Sequence, residues 1–267
     1  MRDSIEVLCK NYGKIGGFWF DGMWDKEGEG DIWQENELYT LIRKYQPDAM
    51  IINNTGLHKL GETGHPEIDS VTFERGNPAP INREGAEKYL TGEVCDSINN
   101  HWGIANDLNF KAPKTIIEQL SRCRSAGANY LLNIGPKADG SLDLMSLAML
   151  EVIGKWMELY GKAVYNGRPF WYKEGVSNFA IRSEKNIYFF CFDLPIGGSE
   201  NVVSGDSASL SEFKFEDFVL PVKNIRWMDN GEILKFRQTE TDLYIAFTNY
   251  EYGTDFCVRV AKGDIYF

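Results

Sequence analysis

The chain has 267 residues, 43% of them apolar and 25% charged, the balance of a globular protein with room for one large domain or two smaller ones. Lysine and arginine total 28 against 39 aspartates and glutamates, a formal charge of −11 that repels a phosphate backbone and sets nucleic acid aside as a partner. No run approaches the ~18 consecutive apolar residues of a membrane helix, and Met1-Arg2-Asp3-Ser4-Ile5-Glu6 lacks the apolar centre of a secretion signal. The expectation is therefore no membrane partner and, with Met1 as the start, a cytoplasmic protein. Cys9, Cys95, Cys123, Cys191 and Cys257 include no Cys-x-x-Cys pair and read as free thiols in a reducing compartment; His58, His65 and His101 never share an i, i+4 face. Chemistry here is expected to lean on carboxylates, with no metal.

Two regimes of periodicity meet near residue 165. Ile15 to Phe20 reads as a strand stopped by Asp21-Gly22. Glu35 to Tyr45 repeats apolar residues at helical spacing and closes at Pro47-Asp48, and Ala49 to Ile52 is a second buried strand. Thr55 to Arg83 reads as one long loop, rich in Gly, Pro and charge, of the kind that is usually functional. Glu93 to Ile98 is a third strand, Lys114 to Ser125 an amphipathic helix ended by Gly127, and Asn129 to Ile134 a fourth strand. The helix after Ser141 is expected to turn Leu144, Leu147, Leu150, Ile153 and Met157 inward. Four βα units result, about half of the eight a closed barrel needs. Beyond Tyr165, strands at Phe179 to Arg182, Ile187 to Phe192, Asn224 to Trp227, Leu234 to Phe236, Leu243 to Phe247 and Phe256 to Val260 alternate in the manner of an antiparallel sandwich. Arg168 to Tyr172 reads as packing between the two parts.

The first strand delivers Asp21 at its C-terminal tip between Trp19 and Trp24. Such a carboxylate is either a nucleophile or base in a partly apolar pocket, or an ordinary Asp-Gly turn. Glycoside hydrolysis would require a second carboxyl, one group attacking while the other protonates the leaving oxygen. Candidates in the long loop are Glu62, Glu67, Asp69, Glu74, Glu84 and Glu87. Ser70-Val71-Thr72-Phe73 gives Glu74 an apolar lead-in that would partly desolvate it; the bland alternative is a solvated glutamate paired with Arg75. Trp102, just past the third strand, either walls a sugar pocket or packs in the core. Asn53-Asn54-Thr55 is a formal glycosylation sequon, and Gly135 to Gly140 reads as a structural turn.

Gly17-Phe18-Trp19-Phe20-Asp21-Gly22, Leu38 to Asn53, Ser97-Ile98-Asn99-Asn100-His101-Trp102-Gly103, and Asn129 to Lys137 with Asp139-Gly140 together resemble the retaining α-L-fucosidase family of glycoside hydrolases. The resemblance covers residues 1 to about 170. It implies the C-terminal half of a (β/α)8-like barrel at residues 1–165, followed by an antiparallel β-sandwich at 170–267. It implies release of terminal α-L-fucose from a fucosylated glycan, with Asp21 as nucleophile, Glu74 as general acid/base, Trp19, Trp24 and Trp102 lining the sugar, and no cofactor.

The chain departs from the family in two ways. The N-terminal half of the barrel, which in the family supplies a histidine pair for the fucose hydroxyls, has no counterpart here, and Thr55 stands where many relatives carry arginine. A truncated, inactive fragment, half of a split enzyme with a partner chain supplying the missing half, and a homo-oligomer that rebuilds a barrel-like core are all open, with weak activity or none expected from the chain alone. The alternatives are a non-catalytic carbohydrate-binding fragment and an unrelated hydrolase pairing Asp21 with Glu93.

Overall fold

The computed structural model describes residues 1–26, 28–79, 88–194, 196–197, 212–251 and 257–265. In chain order these form α1 (Arg2–Asn11), β1 (Gly17–Phe20), a 3-10 turn (Met23–Lys26), α2 (Glu35–Tyr45), β2 (Met50–Asn53), β3 (Ser70–Thr72), β4 (Thr91–Ser97), α3 (Pro113–Ala126), β5 (Ala128–Asn133) and α4 (Leu144–Asn166). Strands follow: β6 (Arg168–Trp171), β7 (Phe179–Arg182), β8 (Asn186–Phe192), β9 (Ile196–Gly197), β10 (Phe213–Phe215), β11 (Val222–Trp227), β12 (Lys235–Gln238), β13 (Leu243–Ala246), β14 (Tyr250–Glu251) and β15 (Val258–Ile265). Two compact units result, Met1–Ser97 with Ala126–Asn133, and Ile98–Ser125 with Ile134–Phe267.

The first unit holds a parallel sheet in the order β1-β2-β3-β4-β5. Its helix α2 spans the residues its periodicity predicts, with Glu35 and Glu37 in the first turn and Arg43 and Lys44 in the last, each complementing the helix dipole. Phe18, Phe20 and Ile51 face Leu38, Tyr39 and Ile42 of α2 and Ile5 and Cys9 of α1 in one core. Gln46, just past α2, ties these pieces together: its Nε2 donates to the carbonyls of Cys9 and Gly13, both at 2.7 Å, and its Oε1 accepts from Ile15 N. Gly17 is required by the β1–β2 approach, because a Cβ there would stand 2.8 Å from the Met50 carbonyl.

The sheet has five strands rather than four. β3 lies inside the stretch that reads as a loop, its three residues too few to show a period. Helices follow β1, β4 and β5, whereas the β2-to-β3 connection has none; Gly56, Gly61 and Gly64 all take positive φ there. The expected four βα units are corrected accordingly. Glu84 and Glu87 lie outside the described residues.

In the second unit the strands are antiparallel, in a five-stranded sheet ordered β11-β15-β8-β7-β6 and a three-stranded sheet ordered β10-β13-β12. β8 is buried on both sides, which is why it reads as one unbroken apolar run. Ile187, Phe189 and Cys191 pack with Phe215, Trp227 and Ile245, while Tyr188, Phe190 and Phe192 pack with Trp156 and Tyr160 of α4 and Ile117 of α3. The buried side of α4 differs from the expected stripe. Ile153 and Met157 of that stripe pack against the core, but Leu144 and Leu147 are exposed and Met149, Trp156, Tyr160 and Ala163 are the buried residues, because apolar residues surround this helix and periodicity alone does not select among its faces. The stretch Arg168 to Tyr172 supplies β6, whose Trp171 packs on Phe213 and Phe215 within this unit. All five cysteines are free.

One buried ion pair joins α4 to both ends of this unit's strands. Arg259, 3% exposed, donates through Nε and Nη2 to Asp229 at 2.7 and 3.1 Å, its Nη1 reaches the Thr248 and Asn249 carbonyls, and its guanidinium lies 4.2 Å from the Trp227 ring centroid. The Tyr160 hydroxyl donates to Asp229 at 2.9 Å. Burial pushes the Asp229 carboxyl up, but the Arg259 bond and charge outweigh it and hold the group below the usual carboxylate range. Its stabilising contribution is thus complete above the unfolded value of ~3.9 and is lost as pH falls through the lower folded value. Arg259→Met should cost about 1–3 kcal/mol in urea unfolding at neutral pH, because it leaves a partly buried carboxylate without its cation, and part of that loss should vanish in acid. A loss below about 1 kcal/mol would show that the pair does not hold the unit together.

Candidate active site

The parallel sheet decides which side chains can meet. Cα pairing sets Trp19 beside Ile52, Ile52 beside Ser70, Thr72 beside Glu93 and Glu93 beside Asn129. Since side chains alternate, Asp21, Asn54 and Glu74, each just past the C-terminal end of β1, β2 or β3, project from that same face. The pairing continues beyond the strands: Asn54 N donates to the Phe20 carbonyl at 2.9 Å and Phe73 N to the Glu93 carbonyl at 2.8 Å.

Asn54, 3% exposed, joins the two carboxylates. Its Nδ2 donates to Asp21 Oδ1 at 3.0 Å and to Glu74 Oε2 at 2.7 Å. Two oxygens on one nitrogen can be no farther apart than those bonds laid end to end, which is the separation range of a retaining pair, about 5–5.5 Å. The amide has one orientation available, because its Oδ1 accepts from Gly56 N at 3.2 Å and from the fully buried Thr72 hydroxyl at 3.1 Å. Gly22 N donates at 2.9 Å to the same Asp21 oxygen, so among the described residues Asp21 Oδ2 carries no hydrogen bond and faces solvent.

The three tryptophans are held in different ways. Trp24 lies against the turn at Gly56, where a Cβ would stand 3.3 Å from the indole and where φ is +74°. Trp19 donates its indole N–H to Glu93 Oε1 at 2.7 Å, and Asn129 Nδ2 donates to Glu93 Oε2 at 2.8 Å, so both Glu93 oxygens are engaged. Trp102 belongs to the second unit, 42% exposed, after a turn in which His101 Nε2 lies 2.7 Å from Asp107 Oδ2. The Cys95 thiol is pushed up to about 12 by burial and by the negative charge of Glu74, Glu93 and Asp21, so it stays protonated among them. A cavity of about 400 Å³ opens beside Asn54, walled by Trp24, Trp33, Thr55, Lys59 and Glu62.

Of the other loop carboxylates, Glu67 and Asp69 are both held by Arg43 at 2.7 Å, and Glu62 is exposed on the cavity wall. Arg75, in the left-handed region at φ 51°, donates to Ser97 Oγ at 3.1 Å. Thr55 N reaches Thr72 Oγ1 at 3.3 Å and its hydroxyl donates to the Lys59 carbonyl at 2.6 Å. Asn54 and Thr72 are the members of the site that sequence reasoning missed. The signal available was the position of Asn54 at a strand tip next to Asp21's strand.

The family model for alpha-L-fucosidase matches residues 1–162. The tissue alpha-L-fucosidase of Rattus norvegicus is 37% identical over 174 residues, covering 63% of this chain and 34% of that protein; the Bos taurus enzyme is 33% identical over 185 residues, covering 58% and 37%. Among solved structures, alpha-L-fucosidase isoenzyme 1 from Paenibacillus thiaminolyticus superposes with a TM-score of 0.76 at 25% identity, covering 100% of this chain and 62% of that one. A GH29 alpha-L-fucosidase from Bacteroides thetaiotaomicron shares the fold with a TM-score of 0.71 at 21% identity. The chain spans about a third of the length of the curated relatives it matches. With the model match running through the parallel sheet and both carboxylates, the chain belongs to the alpha-L-fucosidase family.

Proposed function

We propose that the chain carries the carboxylate pair of a retaining α-L-fucosidase acting on terminal α-linked L-fucose of glycans. The observation that supports this most is the shared Asn54 amide, which keeps Asp21 and Glu74 within attack-and-donate distance of one glycosidic bond. Asp21 Oδ2 attacks the anomeric carbon as the glycosidic C–O bond breaks, and Glu74 gives its proton to the departing oxygen. Water then attacks the fucosyl ester, Glu74 takes the water's proton, and the Asp21 carboxylate leaves, so the configuration is retained. Asn54 stays on Asp21 through both steps. Trp24, with Trp19, provides apolar surface for the sugar, including its C6 methyl.

In this reading residues 1–165 are the C-terminal part of a (β/α)8-like barrel and residues 170–267 a β-sandwich. Five strands do not close a barrel, so the remaining strands come from polypeptide beyond these 267 residues, in the same chain or in a partner. The inner face of the sheet supports this: Trp19, Met50 and Leu131 are 37–43% exposed on it, beside Thr91, Glu93 and Asn129.

An aryl α-L-fucoside tests the assignment. Asp21→Ala should lower turnover by at least ~10³-fold, and azide should restore part of it by taking the carboxylate's place, giving β-L-fucosyl azide. Undiminished turnover, or no rescue in a folded variant, would count against Asp21. For the 267 residues alone, kcat/KM is expected below ~10⁴ M⁻¹s⁻¹, the lower edge for enzymes; a value near that of a complete enzyme would contradict the need for more barrel. Asn54→Ala should reduce kcat by about 10–100-fold with KM little changed, since it acts through the carboxylates rather than on the sugar.

A further inference from the structure

A cavity of about 740 Å³ lies in the second unit, formed by the end of α4, β6, β7 and the turn into β8. Lys162, Arg168, Arg182 and Lys185 line it against a single carboxylate, Glu184, in a chain whose formal charge is −11. Elsewhere Arg43, Lys114, Lys173, Arg237 and Arg259 each sit within 4.0 Å of an acidic oxygen, while among the described residues Arg226, Lys235 and Lys262 do not. The four cavity cations likewise have no such partner among the described residues.

The register makes the excess charge more pointed. Arg168 of β6 and Arg182 of β7 are direct cross-strand partners, so both arginine side chains leave the sheet on one face. Like charges placed so destabilise a strand pair unless an anion lies between them. Arg182 is partly buried and its guanidinium lies over the Phe170 ring, 5.9 Å from the centroid; Phe170 is itself edge-to-face on Phe218 at 5.4 Å. The contact holds the Arg182 guanidinium near the ring, and a guanidinium presents a fork of N–H donors suited to an oxyanion.

We propose that this cavity binds an anionic saccharide, with a sulfate or carboxylate group held between Arg168 and Arg182. The volume exceeds what an inorganic anion fills and falls in the range of small-molecule sites. Pro169 offers apolar surface to a sugar ring, and Asn166, Ser183 and Asn186 offer amide and hydroxyl partners to its hydroxyls. The site is built wholly from the second unit and requires nothing of the carboxylate pair in the first.

Calorimetric titration of the full 267-residue chain carrying Asp21→Ala, so that no bond cleavage enters, tests this directly. Three probes are compared: a sulfated trisaccharide, a uronate-bearing trisaccharide and their neutral counterpart. At least one anionic sugar should bind about tenfold or more tightly than the neutral one, and salt should weaken it; which of the two binds identifies the oxyanion. Arg168→Gln and Arg182→Gln should each reduce that affinity about tenfold, and Arg182→Lys less than Arg182→Gln. Arg168→Gln should also leave thermal stability unchanged or raised, because it removes a like-charge pair. Equal affinity for charged and neutral sugars, unchanged affinity in folded arginine variants, or inorganic sulfate binding as tightly as the sugar would overturn the proposal. Failure of fucoside hydrolysis would leave each of these readouts intact.

Discussion

Everything distinctive about the first unit depends on one amide group serving two carboxylates. Asp21 and Glu74 are 53 positions apart and carry like charge, so nothing local brings them together. Three consecutive parallel strands do, and the middle one is followed directly by Asn54, whose two N–H bonds fall on the flanking acids. A buried amide is free to flip by half a turn, and a flipped Asn54 would present an oxygen to both carboxylates. Thr72 and Gly56 forbid that by occupying the amide oxygen, so a hydroxyl with no exposure of its own sets the geometry of the two acids.

The layer beneath shows the same economy of polar groups. Glu93 sits on the inner face with both oxygens engaged, one by Trp19 and one by Asn129, which leaves it a fixed acceptor rather than a third reactive acid. That arrangement disfavours the pairing of Asp21 with Glu93. The second unit, by contrast, is organised around apolar burial on both sides of β8 and the Arg259–Asp229 pair. It has its own core, and its cationic cavity belongs to a different chemistry from that of the carboxylates.

Much of this was legible in the sequence where the signal was long and periodic. α2 spans the residues its apolar spacing predicts, and β1, β2, β4, β5, β7 and β8 begin or end within about two residues of expectation. What escaped had identifiable causes. β3 is three residues long and sits among turn formers; α1 carries only Ile5 and Cys9 as buried residues; α4 is apolar around much of its circumference, so its inward face is chosen by what packs on it. At the site, Asp21 stood out as a strand-tip carboxylate and Glu74 for the apolar lead-in of Ser70 to Phe73. Asn54 did not, since an asparagine declares its role only through its partners. The opposition of Arg168 and Arg182 is likewise a matter of register, invisible until β6 and β7 are paired.

The central claim is that Asp21 is the group that bonds to the sugar while Glu74 does not. Incubation with a 2-deoxy-2-fluoro-L-fucosyl fluoride, whose fluorine slows release of the ester, followed by peptide mass mapping reads this directly. The account predicts one fluorofucosyl group, carried on the peptide containing Asp21 and absent from Asp21→Ala. A label on Glu74 or Glu93, or an unlabelled Asp21 in a preparation that turns over an aryl fucoside, would contradict it.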